Sequence, residues 1–259
     1  MPTDVRAIDL MMGIPEGSKK EWYGFLRAGF MDSESGEMDH FGIERAMLGI
    51  NFERSTSLRA IEQHPDRFFG SFEVSPNRGM KGVRDLVKAY ETLGIKAATA
   101  FPAGMTPQVP INDKRFYPIY AKCIELDIPI CITTGVPGPR VPMLCQKTEL
   151  LDEVCWFFPE LKVVMRHGAE PWDELAVKLM LKWPNLYYST SAFAPKYYPQ
   201  SIIDYANTRG AEKIMYAGYF PMGLSLERIF SELPHVGLKD DVWPKFLRDN
   251  AVRVFGLEA

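Results

Sequence analysis

Histidine is scarce in this sequence. There are four in 259 residues: His40, His64, His167 and His235. A multi-histidine metal site is hard to assemble from so few. Cysteine is equally thin, with Cys123, Cys131, Cys145 and Cys155 and no CxxC pair. That argues against a zinc cluster or a disulfide framework and leaves small buried thiols. Cys145, in a loop after Pro142, is the one to test for reactivity. No apolar run approaches the roughly 18 residues that span a bilayer. Basic charge is not in excess: the formal net charge is −3, with 24% charged and 46% hydrophobic residues. Nothing marks a nucleic-acid-binding surface. The first residues, Met1-Pro2-Thr3-Asp4-Val5-Arg6, lack the basic stretch and apolar core of a signal peptide. A cytoplasmic protein with no membrane or nucleic-acid partner is expected.

What is present is a regular alternation. Short β-rich runs fall at Val5 to Met11, Ala46 to Asn51, Phe68 to Val74, Ile95 to Phe101, Ile128 to Thr134, Leu161 to His167, Leu186 to Ser191 and Lys213 to Ala217. Helical patterns separate them. Met80 to Leu93 carries Val83, Leu86, Val87 and Tyr90 at i, i+3, i+4, i+7 spacing, one face of a helix. Further helices are expected over Ser57 to His64, Phe116 to Leu126, Leu144 to Phe158, Trp172 to Trp183, Pro199 to Thr208, Leu224 to Leu233 and Asp241 to Val254. Eight buried strands alternating with helices predict an α/β fold, a (β/α)₈ TIM barrel, as one domain over residues 1–259. A long excursion between the first two strands, about Gly13 to His40, holds Trp22, Tyr23, Phe25 and Phe30. Local packing is the simpler use of these aromatics, and a lid or subunit contact the other.

In such a barrel, chemistry sits at the C-terminal ends of the strands. The segment Val163-Val164-Met165-Arg166-His167-Gly168 ends a buried strand in a histidine and a glycine. His167 is therefore the candidate general acid or base. Arg166 precedes it, and strand alternation sends the two side chains to opposite faces. Arg166 is accordingly expected against the helices, in an ion pair. Glu73 ends the third strand and is a candidate base, or an ion-pair partner of Arg54. Arg54 and Arg140 are candidates for holding a substrate carboxylate in a bidentate fork. Asn51, Thr133, Ser191 and Met11 complete the candidate substrate-binding set at the strand ends. No GxSxG elbow surrounds Ser189 or Ser191, which argues against a serine nucleophile.

Eight segments, taken together, carry a resemblance. They are His64-Pro65-Asp66-Arg67-Phe68, Asp113 to Tyr120, Leu126-Asp127-Ile128-Pro129-Ile130, Phe158-Pro159-Glu160-Leu161-Lys162-Val163-Val164, His167-Gly168 to Trp172, Trp183-Pro184-Asn185-Leu186-Tyr187-Tyr188, Tyr219-Phe220-Pro221 and Asn250 to Gly256. In order and over nearly the whole chain, they resemble the amidohydrolase-related family. This is the branch of the amidohydrolase superfamily that includes aminocarboxymuconate-semialdehyde decarboxylase, related decarboxylases and lactonases. The resemblance implies a (β/α)₈ barrel.

The family's metal site is not reproduced. Its first strand usually ends Asp-x-His-x-His, where this chain has Asp9-Leu10-Met11-Met12-Gly13. Its fifth strand usually ends Ile-His-Thr-Gly, against Ile132-Thr133-Thr134-Gly135 here. Its eighth usually carries Gly-Ser-Asp-Tyr-Pro, and Tyr219 replaces the aspartate. Tyr219 is thus either a hydrogen-bond donor or acid at that position, or filler for vacated volume. A catalytic ion generally needs about three ligands. The expectation is therefore no cofactor, with a divalent ion such as Zn²⁺ disfavoured. Glu73, His167 and Glu170 form the alternative ligand set. The resemblance implies an enzyme acting on a small cyclic or aromatic carboxylate, by hydrolysis of lactone or amide type or by decarboxylation. A metal-dependent hydrolase with unusual ligands and a non-catalytic binding barrel are the alternatives. A homodimer is possible on general grounds.

Overall fold

Eight short strands, each buried along most of its length, pair in chain order. The computed structural model describes residues 5–14, 37–53 and 55–258. The strands are β1 Ala7–Asp9, β2 Ile43–Ile50, β3 Phe68–Glu73, β4 Ala97–Ala100, β5 Ile130–Thr133, β6 Val163–Arg166, β7 Leu186–Ser189 and β8 Ile214–Met215. All seven pairings from β1 to β8 are parallel. This is the (β/α)₈ architecture that the alternation predicts. The long segment between β1 and β2, with Trp22, Tyr23, Phe25 and Phe30, lies outside the described residues.

The seam from β8 back to β1 is bridged by a side chain. Asp9 Oδ1 accepts hydrogen bonds from the main-chain N–H of Gly218 (2.8 Å) and Met11 (2.9 Å), and the Tyr216 hydroxyl donates to Oδ2 at 3.4 Å. A Cβ at position 218 would overlap Asp9 Oδ2, so glycine is required there. Beyond it, Gly13 N–H donates to Phe220 O at 2.7 Å.

Alternation along the strands sorts the residues into three environments. Ala46, Leu48, Phe68, Ala98, Ile130, Ile132, Val163 and Met165 belong to the large cluster between sheet and helices. Ile8, Met47, Phe69, Ala97, Cys131, Val164, Tyr187 and Met215 form an apolar layer inside the barrel. The last helix, Asn250–Phe255, packs Ala251, Val254 and Phe255 onto that layer, and the Phe69 and Phe255 rings meet edge to face at 6.1 Å. One end of the barrel is thereby plugged. One step toward the C-terminal ends, the inward positions are Gly49, Ser71, Thr99, Thr133 and Arg166, and these line an open cavity.

The helix over Met80–Leu93 buries Val83, Leu86 and Ala89 and ends at Gly94 in the left-handed conformation, a standard helix stop. The single helix expected over Leu144 to Phe158 breaks into two 3₁₀ turns and a shorter helix, Leu151–Phe157. The reason is Gln146. Its buried side chain donates to Gly135 O (2.9 Å) and accepts from Ala103 N–H (3.2 Å), tying the loop after β5 to the loop after β4. All four cysteines are buried and free. Burial raises the thiols of Cys123, Cys131, Cys145 and Cys155, which corrects the selection of Cys145 as a reactive thiol.

Candidate active site

A cavity of about 1400 Å³ opens at the C-terminal ends of the strands. Its floor corrects the sequence reading of Arg166. The parity that places Val164 inside the barrel also places Arg166 inside, two residues on. The residue that breaks parity is His167, at φ +64°. That left-handed backbone turns its ring back toward the cavity, so consecutive residues face the same space. Gly168 follows at φ +87° and Ala169 at φ +56°. A Cβ at Gly168 would strike the Phe193 ring. Ala192 (φ +78°) and Tyr219 (φ +146°) add further positive-φ residues beyond β7 and β8. Backbone strain is thus concentrated around one mouth, as at many functional sites.

Arg166 has no carboxylate within 4.0 Å among the described residues. One terminal nitrogen contacts the Met11 sulfur at 3.8 Å and the other donates to Thr133 Oγ1 at 3.4 Å. Its Nε is buried and has no partner among the described residues. Burial lowers its pKa, with the charges of Cys131, Glu73 and Tyr219 opposing. A thioether and one hydroxyl satisfy a guanidinium poorly, since it offers five N–H donors. The expected ion pair against the helices is absent among the described residues.

His167 is held by Ser191. Ser191 Oγ accepts the His167 main-chain N–H at 3.1 Å and lies 3.0 Å from Nδ1. The Tyr219 ring meets the imidazole edge to face at 5.4 Å. Burial, then the Arg166 charge, push the imidazole pKa down to about 3, with a hydrogen bond to the Ser191 main chain opposing. His167 is therefore uncharged at neutral pH, and its chemistry is that of a neutral ring.

The other sequence candidates divide. Glu73, Thr133, Asn51, Met11 and Tyr219 line the cavity. Asn51 Oδ1 is engaged by Glu53 N–H at 2.8 Å. Ser191 is fully buried and does not line the cavity, so it acts on His167 instead of on a ligand. Arg140 is exposed and off the wall, although its neighbour Pro139 lines it. Arg54 lies outside the described residues. Sequence reasoning missed Arg166 as a cavity residue, and it gave Glu170 only a metal-binding role. Glu170 lines the cavity, and burial followed by Asp173 raises its pKa. A signal for Arg166 was available: it shares parity with Val164, the central residue of an apolar run.

The amidohydrolase family model matches residues 23–257. The chain belongs to the amidohydrolase family. No curated protein matches this amidohydrolase in sequence. Its fold is similar to an uncharacterized TIM-barrel protein from Bordetella bronchiseptica, at 22% identity and TM-score 0.76, covering 98% of this chain and 99% of that one. It is also similar to 2,6-dihydroxybenzoate decarboxylase from Rhizobium, at 16% identity and TM-score 0.68, covering 98% of each chain. A third similar structure is 5-carboxyvanillate decarboxylase from Novosphingobium aromaticivorans with bound manganese, at 15% identity and TM-score 0.69, covering 98% of each chain.

That manganese corrects the expectation of a cofactor-free barrel: the fold itself carries divalent metal in a similar enzyme. The donors of this chain nevertheless do not fit such an ion. Among the described residues no three His, Cys, Asp or Glu side chains converge, and this includes Glu73, His167 and Glu170. Met11, Thr133 and Tyr219 stand at the strand ends in their place, and thioether and neutral hydroxyl groups are weak ligands for a hard divalent ion. Among the described residues no helix is long and apolar enough to cross a membrane.

Proposed function

We propose that this amidohydrolase is an enzyme for small, ring-bearing carboxylates, and that it hydrolyses a cyclic ester or amide of the lactone type. The observation that carries this is Arg166, a desolvated cation inside the cavity whose counter-ion is missing from the described residues. An uncompensated buried charge is costly to a fold. It is retained most simply if a ligand carboxylate completes it, through the bidentate geometry that guanidinium favours. Met11, Met12, Phe101 and Phe193 supply apolar wall around that point, as a flat ring requires.

Glu53, Glu73 and Glu170 are the carboxylates that line the cavity and are available to take a proton from water. Glu170 suits the task better, because its raised pKa brings it toward neutral pH. In the proposed step, water oxygen bonds to the ring carbonyl carbon as its proton passes to the carboxylate. The carbonyl oxygen becomes the oxyanion, facing His167, while Arg166 holds the ligand's carboxylate. Collapse re-forms the carbonyl and breaks the ring C–O or C–N bond. The leaving atom then takes a proton from Tyr219 or the protonated glutamic acid. The second reading is decarboxylation, supported by the two decarboxylases of similar fold.

The test is turnover of lactone carboxylic acids and hydroxybenzoates in ¹⁸O-water, with and without added manganese. Hydrolysis puts one ¹⁸O into the acid product and releases no CO₂. CO₂ release without ¹⁸O in the organic product selects decarboxylation. Binding of the panel with no turnover in either metal condition sinks both readings in favour of a binding barrel.

A further inference from the structure

Ser191 is fully buried, and its hydroxyl has a single hydrogen to place. One oxygen lone pair accepts the His167 main-chain N–H, whose direction is fixed by the peptide plane. The contact to His167 Nδ1 at 3.0 Å can run either way. If Nδ1 carried the hydrogen, Ser191 would accept twice and its own hydrogen would need another acceptor. Among the described residues none is available. A buried hydroxyl left that way is unfavourable, whereas donation from Oγ to Nδ1 satisfies every atom. Nδ1 is then bare and Nε2 carries the hydrogen. The ring lines the cavity.

We propose that Ser191 holds His167 in the tautomer protonated at Nε2, and that Nε2–H and the Arg166 guanidinium form a two-donor receptor for an oxygen anion. The positive φ of His167 makes the pair possible by turning two consecutive side chains to one space. Both offer donors, and neither offers an acceptor to a ligand. The site therefore selects acceptor-only oxygen, either a carboxylate or the oxyanion formed on a carbonyl under attack. Ser191 is a positioning residue, acting through the imidazole. This deepens the proposed function and rests on its assignment of the cavity, but the tautomer is measurable with no substrate known.

The experiment is ¹⁵N NMR of the imidazoles in the full chain. Four histidines give a small spectrum, and His167→Gln identifies the relevant pair of nitrogens. The expected wild-type result is a protonated Nε2 and a bare Nδ1, retained in Ser191→Thr and lost to a tautomer mixture in Ser191→Ala. Benzoate, as the probe anion, should shift the Nε2 resonance. Its affinity should fall about 10-fold or more in Arg166→Met, as expected for loss of a charge-assisted donor. A wild-type Nδ1–H, or a Ser191→Ala spectrum identical to wild type, overturns the tautomer proposal and leaves the carboxylate assignment standing. Benzoate binding equally to wild type and Arg166→Met overturns the receptor together with the carboxylate assignment, whatever the tautomer.

Discussion

Two charged residues sit in the upper barrel under opposite arrangements. Asp9 bridges β1 and β8 with both oxygens engaged, by two main-chain N–H groups and a tyrosine hydroxyl. Arg166 faces the cavity with a sulfur, one hydroxyl and an unpartnered Nε. A charge that serves the fold has its hydrogen bonds satisfied within the fold. A charge that serves a ligand keeps them unspent. The contrast separates structure from site more sharply than exposure or position along the strand.

The largest effect should come from disturbing the satisfied partner. Gly218→Ala drives a methyl into Asp9 Oδ2 and should destabilise by about 2–5 kcal/mol, combining overpacking with a damaged buried hydrogen bond. Denaturant unfolding measures it. A loss below 1 kcal/mol would mean that the seam is soft and the contrast overstated.

Asp9 also makes a pH prediction of definite sign. Burial raises its carboxyl from 3.8 to about 6. A folded-state pKa above the unfolded one gives stability that is complete below pH 3.8 and lost as pH rises through about 6. The difference corresponds to about 3 kcal/mol. Asp9→Asn lacks this titration. Its deficit relative to wild type should therefore be greatest near pH 4 and shrink by pH 7, in paired thermal melts across that window. A deficit independent of pH would show that Asp9 stays ionised in the fold.

Arg166→Met tests the other partner, with the opposite sign. Removing a buried cation that has no ion pair among the described residues should leave stability unchanged or raise it by about 1 kcal/mol. Benzoate affinity should fall about 10- to 100-fold. A strongly destabilised Arg166→Met would move Arg166 to the structural side of the comparison. The smallest effect is expected at the cysteines: Cys123, Cys131, Cys145 and Cys155 are buried with raised thiol pKa values. They should resist a thiol reagent until the protein is unfolded.

The barrel was legible because strand and helix periods alternate cleanly; helix Met80–Leu93 buries Val83 and Leu86 as the spacing predicts, but its face turns to Ala89, leaving Val87 half-buried and Tyr90 exposed. The ends of Leu144 to Phe158 were not, because a tertiary hydrogen bond to Gln146 outweighed local helical preference. At the site, position was legible and orientation was not. Strand-end logic placed His167, Glu73, Thr133 and Tyr219 at the mouth, where they are. Alternation then failed at one residue, since a single positive φ at His167 reassigns which neighbour faces in. Gly168 was the only local hint of that turn. Ser191 was taken for a ligand contact because sequence cannot show that its hydroxyl is already used by His167.

Among the described residues, the terminal helix stacked under the apolar layer closes one end of the barrel. A molecule seated on Arg166 at the cavity floor therefore reaches it and leaves it by the open end of the strands. For the proposed enzyme, a product anion still held at that floor keeps the next substrate out.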